Sequence, residues 1–200
     1  MITMRKIFER IFKKMNAPTV TNVRKEYIEN SAIEKLNEWN INTPRFDLIK
    51  MLKDREGFEI VLIPMPDDTT GLILMNDNEK IGNTNLNKLI AVNANLQRDP
   101  NYIQRRRFII AHEYAHSQLH KQHNILFAHR DTHKKDTLTE QEADFFARCL
   151  LMPKKIMNEV MNSETYKKLS ESGRISYICE IFNVTEKKAK QRLKEIGTNA

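Results

Sequence analysis

His112, Glu113 and His116 stand together in the stretch FIIAHEYAHSQLH, residues 108–120, as His-Glu-x-x-His. On a helix, residues four apart lie above one another, so the two imidazoles face a single point. Metallopeptidases use this pattern to hold zinc, with the glutamate beside it as general base. Zinc acidifies water and polarises a carbonyl, while Glu113 would take the released proton and pass it to the leaving amine. With 6 His and 17 Glu in 200 residues, chance produces the motif about 0.015 times per chain. The competing reading is two histidines that merely share a helix. Against it, Ile109, Ile110, Ala111 and Ala115 would bury this helix, and buried imidazoles need partners.

Two histidines require a further ligand. The longer pattern H-E-x-x-H-x-x-G-x-x-H is excluded, because Leu119 and Gln122 stand where it needs Gly and His. His120, His123, His129 and His133 fall at the helix end or in a polar stretch and read as solvated side chains. A carboxylate from a second helix is the other solution, and TEQEADFFARCLLMP, residues 139–153, offers two. At 100° per residue, Glu140, Ala143, Asp144, Ala147 and Leu151 share one face. The alanines allow close approach, so Glu140 can reach the metal while Asp144, one turn on, accepts the N–H of a ligand histidine. Glu142 points elsewhere and has the capping-box spacing from Thr139, yet it stays the alternative third ligand. An oxyanion donor is also needed. Tyr102, Tyr114, His120 and Tyr166 qualify by type, and spacing does not choose among them.

Positioning these residues requires mixed elements. Residues 1–16 alternate Ile7, Phe8, Ile11, Phe12 and Met15 with Arg and Lys at helical spacing, a basic amphipathic helix followed by a linker around Pro18. Apolar spacing predicts a helix over 23–39 and another after Pro44, with Pro44 in its first turn and Gly57 at its end. FEIVLIP, GLILMN and NKLIAVN then read as strands, with a turn at 76–78. They predict a small antiparallel sheet of three or four strands, the last of which could grip an extended peptide by strand addition. Helices are expected over 101–120 and 139–153, with a polar loop between them, and two more follow over 172–183 and 185–197. The class is α+β, in three parts: a basic helix and linker (1–22), a metallopeptidase domain (23–160) and a helical C-terminal region (161–200). That last region has a helix-turn-helix-like outline, with Lys187, Lys188, Lys190, Arg192 and Lys194 expected on its surface.

Composition bounds the setting. A net charge of +7 permits nucleic acid, anionic membrane or an acidic partner without selecting one. The tail is read first as support or a docking surface, and DNA binding is not favoured. Cys149 and Cys179, thirty residues apart, read as thiols of a reducing compartment rather than a disulfide framework. No run approaches the length of a membrane span and no secretory h-region is present, so the expected location is cytoplasmic.

From NKLIAVNANL through RRRFIIAHEYAHSQLH to EQEADFFARCLLMP, residues 88–155, the chain resembles the ImmA/IrrE family of metallopeptidases. That family pairs H-E-x-x-H with a later E-x-x-A-[N/D]-x-F-A-x-x-L-L-M-P. Glu140, Ala143, Asp144, Phe146, Ala147, Leu150, Leu151, Met152 and Pro153 match it throughout. The likeness is looser over 23–87 and absent from the first twenty residues. It implies a zincin-like fold, a small sheet beside two site helices, with His112, His116 and Glu140 on zinc and Glu113 as catalytic base. It implies a zinc-dependent endopeptidase of the bacterial cytoplasm, an anti-repressor that cleaves or otherwise inactivates a helix-turn-helix repressor on a mobile element or in a stress response. The alternative is a regulator that binds a repressor or DNA and uses the metal domain as a scaffold.

Overall fold

The computed structural model describes residues 19–75, 87–120, 128–129 and 138–197. The basic helix expected over 1–16, the turn at 76–78, and His123 and His133 lie outside the described residues.

Helix α1 (Asn22–Glu38) starts at Thr21, whose hydroxyl accepts the Arg24 N–H, and buries Ile28, Ala32 and Leu36 in one stripe. Helix α2 (Leu48–Glu56) starts later than its proline suggests. Asp47 is its N-cap, accepting the Lys50 N–H at 3.0 Å, and Pro44 lies in the bend before it. A capping carboxylate satisfies an orphan donor, which proline only avoids needing. Gly57 ends the helix at φ 74°, the left-handed conformation that glycine adopts without cost.

Strands β1 (Glu59–Ile63), β2 (Gly71–Met75) and β3 (Lys88–Asn93) follow. A two-residue strand, β4 (Ala128–His129), forms within the stretch expected as loop. The sheet order is β1-β3-β2-β4. Strand β3 runs antiparallel to β2, with Ile73 opposite Ile90, but parallel to β1, with Val61 opposite Ala91. The sheet is therefore mixed, not antiparallel. The seven residues between β1 and β2 do not close a hairpin, so β3 inserts between the two strands. With both edges paired, β3 has none left for a substrate strand.

The link from β1 to β2 is pinned by Asn93, which is 1% exposed. Its amide nitrogen lies within 3.2 Å of the carbonyls of Met65, Pro66 and Thr69, and its oxygen accepts the Met65 N–H.

A 3₁₀ turn (Ala94–Arg98) leads into α3 (Tyr102–Leu119), which is buried without a break from Phe108 to Ser117. One side of α3 lies on β2 and β3, and the other meets α4 (Leu138–Leu151), which in turn packs on α1. Four fully buried alanines, Ala111, Ala115, Ala143 and Ala147, keep side chains small on the helix pair. Two further helices, α5 (Lys154–Asn162) and α6 (Glu164–Lys167), follow where sequence patterning suggested no element. Helices α7 (Glu171–Phe182) and α8 (Glu186–Glu195) meet at Asn183, which has φ 52°. Ile175, Ile178, Phe182, Val184, Ala189 and Leu193 from this region join the same apolar cluster as α1, α3 and α4.

The C-terminal cations do not all face outward. Arg192 is 1% exposed and donates to the Met152 carbonyl and to Glu29 of α1. Lys188 bonds Asp144. Burial of an arginine is tolerated where its donors find fixed acceptors, as here. Both cysteines are free thiols, and burial pushes the Cys149 thiol up to about 12.

Candidate metal centre

The site is built on α3 and α4. His112 and His116 lie one turn apart on α3, are 0% and 6% exposed, and bring their Nε2 atoms to 3.2 Å. Glu140, in the first turn of α4, meets both: one carboxylate oxygen lies 3.2 Å from His112 Nε2 and the other 3.3 Å from His116 Nε2. Among the described residues, these three form a group whose ligand atoms all lie within 4.8 Å of one another and could hold a metal ion.

Each histidine turns its other nitrogen to a different partner. His112 Nδ1 lies 2.9 Å from Asp144 Oδ1, a bond that requires the hydrogen on Nδ1. A neutral His112 then presents a lone pair at Nε2. Asp144 also accepts from Lys188 Nζ at 3.0 Å, and that ammonium lies 3.7 Å from the centre of the Phe108 ring. Burial pushes the Asp144 carboxyl up, but the His112 bond and the Lys188 charge outweigh it and hold the group well below the usual range. Glu140 behaves alike, with burial raising it and the two imidazoles lowering it further. Burial dominates at His116 and holds the imidazole below its ordinary value. His116 is thereby poised to stay neutral, the form in which imidazole ligates.

Glu113 is 1% exposed. Strand β2 passes so close that a Cβ built on Gly71 would stand 3.1 Å from Glu113 Oε1 and 2.6 Å from Ile109 Cγ2. Only glycine lets the strand backbone lie against the helix there.

Glu142 takes no part in the group. Arg24 grips it at 2.9 and 2.7 Å, and His120 Nε2 lies 3.0 Å away. Nor does it close a capping box with Thr139, because α4 already begins at Leu138 and Thr139 lies within its first turn. The bidentate arginine pair is the stronger claim on the carboxylate, and Arg24 holds its pKa down. His120 is likewise not a solvated side chain: its Nδ1 lies 3.1 Å from His116 Nδ1.

The tyrosines considered as oxyanion donors lie in other surroundings. Tyr114 is packed among Trp39, Phe58 and Phe146, and burial pushes its phenol far up. Tyr102 lines a separate cavity with Leu48, Ile49 and Arg106. The Tyr166 ring lies tilted against that of Tyr177, with centres 6.4 Å apart.

Three residues that touch this machinery escaped sequence reading, and a fourth, His120, was read only as a solvated side chain or an oxyanion donor. His120 had a signal, the repeat of the four-residue step from 112 through 116 to 120. Arg24 and Lys188 had none, since their carboxylate partners lie 118 and 44 residues away. Gly71 carried only the weak signal of a glycine opening a strand.

Fold and site together define an α+β domain with a His-His-Glu group between two helices. Residues 54–194 match the family model described as the IrrE N-terminal-like domain, Peptidase_M78, and the chain belongs to that family. Among solved structures, a Mycobacterium tuberculosis transcriptional regulator superposes with a TM-score of 0.54 at 17% identity. The match covers 84% of this chain and 46% of that one, so this chain spans less than half of its neighbour, and the likeness is one of fold. No curated protein matches the chain.

Proposed function

We propose that this chain is a zinc-dependent endopeptidase of the cytoplasm that cleaves a helix-turn-helix repressor and so relieves repression. The observation that carries the reading is the convergence of His112 Nε2, His116 Nε2 and the Glu140 carboxylate, with Glu113 buried beside them. Three groups with lone pairs aimed at one point suit a cation. Zinc bonds of ~2.0–2.1 Å at tetrahedral angles set ligand atoms about 3.3 Å apart. The spacings here are 3.2, 3.2 and 3.3 Å.

Among the described residues three side chains could hold the ion, and a site of three protein ligands is the catalytic kind, because structural zinc is closed by four. A bound zinc would supply Lewis-acid activation of water and of the scissile carbonyl. Glu113 accepts the proton of the attacking water and returns it to the leaving amine. Asp144 fixes the His112 tautomer, and Gly71 leaves room for the Glu113 carboxylate.

Membership of a peptidase family supports hydrolysis, and the transcriptional regulator among its structural neighbours supports a regulatory target. Among the described residues no helix is long and apolar enough to cross a membrane. Residues 23–160 are read as the catalytic unit, 161–200 as its support and 1–22 as a separate basic segment.

The non-cleaving alternative relies on α8 as a DNA-reading helix. Two of its five cations, Lys188 and Arg192, are spent on Asp144 and Glu29, which favours the peptidase. The test is co-expression with a candidate helix-turn-helix repressor, comparing wild type with Glu113→Gln, following the repressor by mass and the enzyme by zinc content. One discrete cut that disappears in the variant, with zinc bound in both, is expected. An intact repressor beside zinc-loaded wild type overturns the proposal.

A further inference from the structure

We infer that His120 is a positioning residue for His116, the middle of a relay that runs from the metal group through Glu142 to Arg24 on α1. The inference rests on the metal reading of the site and extends it to residues outside both motifs.

The hydrogen positions along the relay follow from one another. With Nε2 directed at the group shared with Glu140, a neutral His116 carries its hydrogen on Nδ1. Among the described residues that N–H meets His120 Nδ1 as its acceptor, at 3.1 Å. His120 then carries its own hydrogen on Nε2, which points at Glu142 Oε2, 3.0 Å away. Glu142 is an acceptor at both oxygens, and the Arg24 guanidinium donates to both. Every donor meets an acceptor: His116 donates to His120, His120 donates to Glu142, and Arg24 donates to Glu142 from the other side.

The backbone supports the same placement. His120 is the C-cap of α3, and its N–H bonds the His116 carbonyl at 3.1 Å. Main chain and side chain therefore both tie residue 120 to residue 116. The far end of the relay is fixed on α1, where the Arg24 guanidinium also lies 5.0 Å from the Tyr27 ring centre.

The consequence is a division of labour. His112 is oriented by Asp144 from α4, His116 by His120 from its own helix, and the second chain is held in place by a residue near the start of α1. A partner that pulled on the exposed end of α1 would act on His116 without touching the metal group.

The experiment is cobalt binding by the full chain at neutral pH, read as affinity and as the visible absorption of bound Co²⁺, with no substrate present. Outer partners of ligand histidines typically change metal affinity about 10–100-fold when removed. His120→Phe keeps the aromatic volume and loses the acceptor, and is expected to weaken binding within that range. His120→Asn returns an acceptor near the Nδ1 position and is expected to recover most of the loss. His120→Gln, which reaches Glu142 but not His116, is expected to recover little.

Arg24→Met acts two bonds further out, at a partly exposed side chain, and is expected to give a smaller loss of the same sign. Long-range ¹H–¹⁵N spectra should show His120 as the Nε2–H tautomer. Equal affinity in wild type and His120→Phe, or equal rescue by Asn and Gln, overturns the relay and leaves the metal site standing. A wild type that takes up no cobalt overturns the metal reading, and the relay with it.

Discussion

Gly71 is where a single missing atom matters most. Its Cβ would stand 2.6 Å from Ile109 Cγ2, 3.1 Å from Glu113 Oε1 and 3.2 Å from the Ala91 carbonyl. Ile109 is branched at Cβ and buried, and the carbonyl belongs to β3, so neither neighbour is a flexible tip that can swing away. Gly71→Ala should therefore push β2 off α3, at a cost of about 1–3 kcal/mol, the usual range for overpacking. Urea unfolding measures that loss, and unchanged stability would mean the strand is not seated as described. Cleavage should fall further than stability explains, because the displaced strand is the one beside Glu113. The same residue shows what a sequence conceals. His112, Glu113 and His116 are legible from local spacing, and the helical wheel puts Glu140 and Asp144 on one face. The close approach at Gly71 comes from a strand forty residues upstream, and no local period encodes it.

At the scale of elements, the longer helices were readable because each carries its own 3.6-residue pattern, whereas the short α5 and α6 were not. Thr21, Asp47 and Gly57 mark ends by local chemistry. Strand order was not readable, because β1, β2 and β3 look alike in sequence and only their pairing decides that β3 is central. Tertiary ion pairs were equally hidden, and they join elements to the site. Lys188 of α8 donates to Asp144, which accepts from His112. Asp144→Ala removes the partner of a ligand histidine and should weaken metal binding about 10–100-fold. Lys188→Met keeps the stem over Phe108 and removes the charge, so it should weaken binding less. If Lys188 acts through Asp144, the double variant binds no worse than Asp144→Ala alone. Additive losses measured by metal titration would show that Lys188 reaches the site by another route.

Over the whole molecule, the question is whether 161–200 is an appendage or part of the body. Its outline of two helices around a turn is helix-turn-helix-like, and the sequence reads it first as support or a docking surface. In the structure α7 and α8 share one apolar cluster with the site helices. Arg192 bonds Glu29 on α1 and the Met152 carbonyl beyond α4, and Arg148 on α4 grips Glu195 on α8 at 2.7 Å. A charge so placed is costly to strand: removing one member of a buried pair typically costs about 3–5 kcal/mol, and Glu29, partly exposed, puts Arg192→Ala toward the lower end. Truncation after Asn183 removes much more. It deletes the buried Val184, Ala189 and Leu193, together with the partners of Asp144, Glu29 and Arg148. Loss of a buried leucine alone costs about 2–5 kcal/mol, and a domain of this kind is stable by only about 5–15 kcal/mol. The truncated chain should therefore lose cooperative thermal unfolding and cobalt binding together. A truncated chain that melts cooperatively and still binds cobalt would make the tail a separable module, and Lys187, Lys190 and Lys194, which stay exposed, would be the residues through which it meets a partner.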